Sequence, residues 1–243
     1  PITKAPVHCN EGAQFLRTWN FKLVIPAVGR SLCNHIVRLT DAGDELPEKG
    51  WALISVGVQS KNRLSPAIHI SHCKDIYVEN VNVHHAGGMA LIAQRSENLT
   101  LNNYNVTLPP GSERLVTALA DATHFVGCKG LITLENCIFE NMLDDGTNIH
   151  GVYAEVGEVM DGHTVGMSRG HSQQQGFDFA QPGEKVRLVD MSSLKPYTEP
   201  LTVASVRNVN DFYFEVSFNE KIDEIVRPGS AAENLTLQPQ AIM

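Results

Sequence analysis

Leu131-Ile-Thr-Leu-Glu-Asn-Cys-Ile-Phe139 reads as a buried strand, and two earlier segments align with it: Asp75-Ile-Tyr-Val-Glu-Asn-Val-Asn-Val83 and Asn98-Leu-Thr-Leu-Asn-Asn-Tyr-Asn-Val106. Each alternates apolar and polar positions, and each has an asparagine at its sixth place: Asn80, Asn103 and Asn136. The first interval is 23 residues and the second 33, with the turn-rich stretch Leu108-Pro-Pro-Gly-Ser-Glu-Arg-Leu115 accounting for the extra ten. A period in the twenties with alternating hydrophobicity is the pattern of a parallel β-solenoid, one repeat to a coil. The asparagines are then expected to stack as a ladder, their amides bonding from one coil to the next.

The segment from Ala118 to Tyr153 surrounds the third strand with polar groups: Asp121 and His124 before it, then Asp144, Asp145, Asn148, His150 and Tyr153 after it. Asp121 and Asp144 are 23 residues apart, the length of one uninterrupted coil. The repeat therefore stacks them on adjacent rungs of one face, where neighbouring strands stand roughly 4.8 Å apart. Asp145 is expected to point to the other face of an extended chain, with Gly146 able to supply the bend that brings it round. Gly87 and Gly88 fall on the rung before Asp121, where a missing side chain leaves room for a ligand.

Working outward, residues 66–156 form the solenoid proper. Residues 1–65 are irregular, with short apolar runs at Phe21–Ile25, His35–Leu39 and Trp51–Val56 and a polar connection between the last two; a small β-barrel or sandwich module is expected there, leading into the coil. Residues 157–243 begin with a return coil and then give short strands punctuated at Pro182-Gly183, Asn210-Asp211 and Pro228-Gly229, expected to be a second small antiparallel β-module. His171-Ser-Gln-Gln-Gln-Gly176 reads as a loop rather than a rung facing the acids.

Nineteen Lys and Arg against 27 Asp and Glu leave a formal net charge of −8, which argues against a nucleic-acid surface. No apolar run reaches the roughly 18 residues of a membrane span. Five cysteines at irregular spacing indicate neither a disulfide framework nor a zinc site. His69, His72, His84 and His85 also lack metal-ligand spacing and read as loop or core histidines. The chain begins at Pro1 and enters mid-pattern, so a fragment of a longer protein is expected, its secretion signal outside this stretch.

Three aspartates with histidines, and no nucleophilic Ser or Cys motif, point to acid–base work on a sugar acetal. Glycoside hydrolysis needs one carboxyl that donates a proton to the leaving oxygen and a second that is ionised. Neighbouring carboxyls disfavour joint ionisation, which is the condition such a pair requires. A polygalacturonase-like hydrolase also places aspartate pairs on a solenoid face, but Lys129 is the one basic residue between Ala118 and Gly157, too few for an acidic polymer. A non-catalytic glycan-binding solenoid calls for aromatic platforms rather than three carboxylates.

ALADATHFVGCKG (118–130) followed by ENCIFENMLDDGTNIHGVY (135–153) resembles glycoside hydrolase family 110, bacterial exo-acting α-1,3-galactosidases. FDFAQPGEKVRLVDMSSLKPY (177–197) is similar to that family's barrel module. The resemblance implies an all-β fold, a right-handed parallel β-helix with accessory small antiparallel β-barrel modules, acting with inversion and without a metal or organic cofactor. It implies a galactose-terminated glycan as substrate and a periplasmic or secreted location, and it leaves homo-oligomerisation open. Carried over by position, it makes Asp144 the general acid, has Asp121, Asp145 or both activate water, and offers His124, Asn148 and His150 as binders of galactose hydroxyls.

Overall fold

The computed structural model describes residues 63, 65–222, 226 and 229–243, and before these the backbone of five short strands. The chain divides into two compact units, Pro1–Leu64 and Ser65–Met243. In the first, β1 (Ile2–Ala5) pairs antiparallel with β2 (Arg17–Trp19) and β5 (Ala52–Ser55), and β3 (Lys22–Val24) pairs antiparallel with β4 (Arg38–Thr40). β3, β4 and β5 overlap the three apolar runs of the sequence. The polar connection, and with it the expected closure into a barrel or sandwich, lies outside the described residues.

Among its described residues the second unit is all β apart from a 3-10 turn at Ser172–Gln174. From Ile68 the chain alternates between two parallel sheets. One holds β6 (Ile68–Ser71), β8 (Leu91–Gln94), β10 (Thr123–Val126) and β13 (Thr147–His150) in that spatial order. The other holds β7 (Lys74–Val83), β9 (Glu97–Val106), β11 (Lys129–Glu135) and the short β12 (Ile138–Phe139), which pairs with the far end of β9. Side chains on the inner faces, among them Leu91, Leu99, Leu101, Tyr104, Phe125 and Ile132, form one buried core.

The corners recur at fixed register positions. His72, Arg95 and Gly127 all have positive φ, as do Asp75, Asn98 and Gly130, and so do Asn80, Asn103 and Asn136. Asn, Asp and Gly tolerate this left-handed backbone better than other residues, which is why they repeat in the sequence. The ladder forms in part as expected: Asn103 Nδ2 donates to Asn80 Oδ1 at 2.7 Å, but Asn136 Nδ2 donates to Asn102 Oδ1 at 2.9 Å.

The ten extra residues of the third repeat divide between two places. Leu91 pairs with Ile68, 23 residues back, while Thr123 pairs with Leu91, 32 back, so nine of the ten lie in the loop before β10. The tenth is a bulge in β11, where the register with β9 shifts between Lys129 and Ile132. Gly130 turns it with φ 71°, and a Cβ there would collide with Asn98 Oδ1, which accepts from Leu131 N at 3.1 Å.

A closed antiparallel barrel follows, in the order β14 (Tyr153–Val159), β15 (Thr164–Arg169), β18 (Tyr213–Phe218), β17 (Leu201–Asn208), β16 (Lys185–Val189) and β19 (Ser230–Asn234). Phe179, Phe214, Phe218 and the alternate aliphatic residues fill it, whereas Phe212 is exposed. The barrel's first strand begins at Tyr153, ahead of the boundary read from the sequence. After the barrel, β20 (Gln240–Ile242) returns to pair parallel with β11.

Candidate active site

β10 and β13 lie side by side in parallel, with Thr123 opposite Thr147, His124 opposite Asn148 and Val126 opposite His150. Alternation along β10 sends Thr123 and Phe125 into the core and leaves His124 on the outer face. The buried hydroxyl of Thr123 donates to Gly146 O at 3.2 Å and lies 3.0 Å from that of Thr147, fixing the register from inside.

The paired offset here is 24 residues, one more than the sequence repeat, because the bulge at Gly130 falls within this interval. Ala122 N donates to Asp145 O at 2.9 Å, which carries the same register back to the acids. Asp145, not Asp144, therefore stands beside Asp121. This corrects the expectation that Asp121 and Asp144 share a column and that Asp145 faces away. Gly146 is not the hinge: its φ is not positive, and a Cβ there would meet only ordinary contacts, the nearest at 3.6 Å. The 32-residue register that sets Ala86 opposite Ala118 and Leu91 opposite Thr123 puts Gly88 in the column of Ala120, and the 24-residue step continues that column to Asp144.

Two adjacent strands thus enter with the same arrangement. Asp121 is 3% exposed, and its Oδ2 is 2.5 Å from Nδ1 of His124, three residues on. Asp145 Oδ2 accepts from Asn148 Nδ2, also three residues on, at 3.3 Å. Asp144 and Asp145 are exposed. His124 Nε2 lies 2.8 Å from His150 Nε2, the rings edge to face with centroids 4.8 Å apart. His150 Nδ1 bonds to Gly151 O at 2.7 Å. Both ring nitrogens of His124 and His150 are therefore engaged within the site.

The contact between the two histidines was missed in the sequence, although its signal was present. In a 24-residue register, residues 26 apart are diagonal neighbours on the same face. The 23-residue repeat hid that relation. His69 and Gln94 bond across the same diagonal on β6 and β8, at 2.8 Å. Among the described residues no group of three or more His, Cys, Asp or Glu is placed to hold a metal ion. A cleft of about 250 Å³ opens at the His150 end, lined by Tyr153, Phe177, Phe179, Glu233 and Leu237 among others. It reaches none of the three aspartates.

The chain is 35% identical over 224 residues to α-1,3-galactosidase A of Shewanella woodyi, covering 92% of this chain and 36% of that protein. It is 34% identical over 196 residues to α-1,3-galactosidase B of Phocaeicola vulgatus, covering 77% and 33% respectively. Residues 164–231, from β15 into β19, match the GLAA-B beta-barrel domain II model. The chain belongs to glycoside hydrolase family 110. Within this family 110 chain the matched barrel follows directly on the strands that carry the acids. The chain spans about a third of the length of the curated relatives it matches.

Proposed function

We propose that this chain carries the catalytic segment of an exo-acting glycoside hydrolase that removes terminal α-1,3-linked galactose with inversion of configuration. The observation that carries the reading is the convergence of Asp121, Asp145 and the adjacent Asp144 at the entry of two paired strands, next to His124 and Asn148. The names of the relatives, α-1,3-galactosidase A and B, support the substrate. The alternation between two parallel sheets supports consecutive coils of a right-handed parallel β-helix.

In this reading Asp144 protonates the glycosidic oxygen as the bond to the galactose anomeric carbon breaks. A water on the opposite face attacks that carbon and gives its proton to Asp121 or Asp145, which yields β-galactose and the freed alcohol of the aglycone. Such a mechanism requires carboxyls about 6.5–9.5 Å apart, with room for the water. Asn148, Asp145 and the outer face of β10 and β13 hold the sugar. His124 and His150 contribute hydroxyl bonds only by exchanging a present partner. Removal of terminal sugars from external glycans places the protein in the periplasm or outside the cell.

The test is incubation of the full-length protein and its Asp144→Asn variant with an α-1,3-linked galactosyl disaccharide, followed by NMR. Release of β-galactose by the wild type, reduced by a factor of about 10² or more in the variant, is expected. No release from a folded wild type would sink the assignment.

A further inference from the structure

We infer that Asp121, His124 and His150 hold one proton in common, and that His150 is a positioning residue acting on Asp121 through His124. Gly151 O can only accept, so the 2.7 Å contact fixes a hydrogen on His150 Nδ1. The 2.8 Å contact between the two Nε2 atoms needs one hydrogen, since two lone pairs or two N–H groups facing each other repel. The 2.5 Å contact between His124 Nδ1 and Asp121 Oδ2 needs one as well. Three contacts require three hydrogens, whereas two neutral imidazoles and a carboxylate supply two. The connected chain therefore carries one added proton and has no net charge. That proton can reside on His150, on His124 or on Asp121 without any contact being lost.

The neighbouring strand shows what is particular to this arrangement. Asn148 stands where His124 stands and bonds to Asp145 in the same way, but an amide cannot take up the proton. Of the two paired aspartates, Asp121 alone is joined to a proton store. The ionisable groups around it are Asp144 and Asp145 before β13, His69 on β6, held by Gln94 of β8, Tyr153 on β14, and Glu233 on β19 across the cleft, held by Arg187 at 2.8 Å. None of them replaces any of the three contacts.

The sign follows from the count. Deprotonation leaves two lone pairs face to face, so a contact opens as pH rises and His150 ceases to restrain His124. The proton belongs to the chain as a whole, and its loss is one macroscopic step rather than separate titrations. A His150→Gln variant supplies an amide N–H to His124 Nε2 without a titrating group, whereas His150→Ala supplies nothing.

For catalysis the inference rests on the proposed role of Asp121, so two measurements keep the questions apart. Long-range ¹H–¹⁵N spectra of histidine-labelled full-length protein, between about pH 5 and 9, are expected to show His124 and His150 moving in one shared step, with His150 Nδ1 protonated throughout. In His150→Gln the His124 response leaves that step by about one pH unit or more. Two independent steps, neither altered by replacement of the other histidine, would overturn the shared proton whether or not the protein is a galactosidase. In galactosidase assays the alkaline limb of kcat/KM should move by a similar amount in His150→Gln, while His150→Ala loses roughly tenfold or more across the range. A wild-type alkaline limb kept unchanged in an active His150→Gln variant would overturn the positioning role.

Discussion

Asp190 closes the turn after β16 with four donors on one carboxylate. Its Oδ1 accepts from Ser192 N at 2.7 Å, Ser192 Oγ at 2.6 Å and Ser193 N at 3.2 Å, and its Oδ2 accepts from Tyr197 OH at 3.2 Å. The turn needs this support because Leu194 lies in the left-handed region at φ 56°. The Ser192 hydroxyl, with the backbone N–H groups behind it, holds the carboxyl at about 2. A depressed folded value contributes stability above the unfolded value of about 3.9, and that contribution disappears as pH falls through the folded one. The Asp190→Asn variant should therefore have a lower urea midpoint than wild type near pH 5, with the difference shrinking between about pH 4 and 2. A difference that stays constant over that interval would rule out this linkage.

Among the elements, the corner between β8 and β9 ties the parallel sheets to the barrel. Arg95 occupies it, at φ 47° and 8% exposed; its Nη1 donates to Asp178 O at 2.8 Å and its Nη2 pairs with Glu184 Oε1 at 2.5 Å. Glu184 Oε2 accepts from Gln181 N at 2.9 Å and Asn234 Nδ2 at 2.8 Å, so this carboxylate, on a side chain 11% exposed, is bonded on both oxygens. Removing one member leaves the other charge without its partner. Arg95→Ala or Glu184→Gln should each cost about 3–5 kcal/mol in denaturant unfolding, and Arg95→Met with Glu184→Gln together less than the sum of the singles. Strictly additive losses would contradict the coupling. This pair was not legible in the sequence, because 89 residues separate its members and nothing periodic relates them. The parallel strands were legible because Asn80, Asn103 and Asn136 mark a backbone conformation that few residues accept. The placement of Asp144 failed for a local reason: a single bulged residue at Gly130 lengthens one repeat, and a glycine among strand residues does not reveal whether it adds to the register.

At the scale of the whole second unit, the chain leaves the parallel sheets at His150, closes a six-stranded barrel and comes back with β20 onto β11. The strand order within the barrel is set by long-range pairing, so the pattern of residues indicated only short strands and turns there, and the expected closure into a barrel, which the structure bears out, came from the family resemblance. Besides Arg95, the two parts are joined by His72 Nε2 and Asp178 Oδ2 at 3.2 Å, and by Phe177, whose ring lies against Gly127. A Cβ on Gly127 would stand 2.7 Å from Phe177 Cζ, so the backbone of one part is packed directly against a side chain of the other. With entry, exit and interior corner all shared, neither part can open without disturbing the other, and Ser65–Met243 should behave as one cooperative unit. Native-state hydrogen exchange at increasing denaturant gives the check: slow amides in β9 and in β18 should converge on one opening free energy with one denaturant slope. If β14 to β19 exchanged through a separate opening of lower free energy, the barrel would be an independently unfolding module. Arg95→Ala would then cost much less of the stability of the parallel sheets that carry the acids.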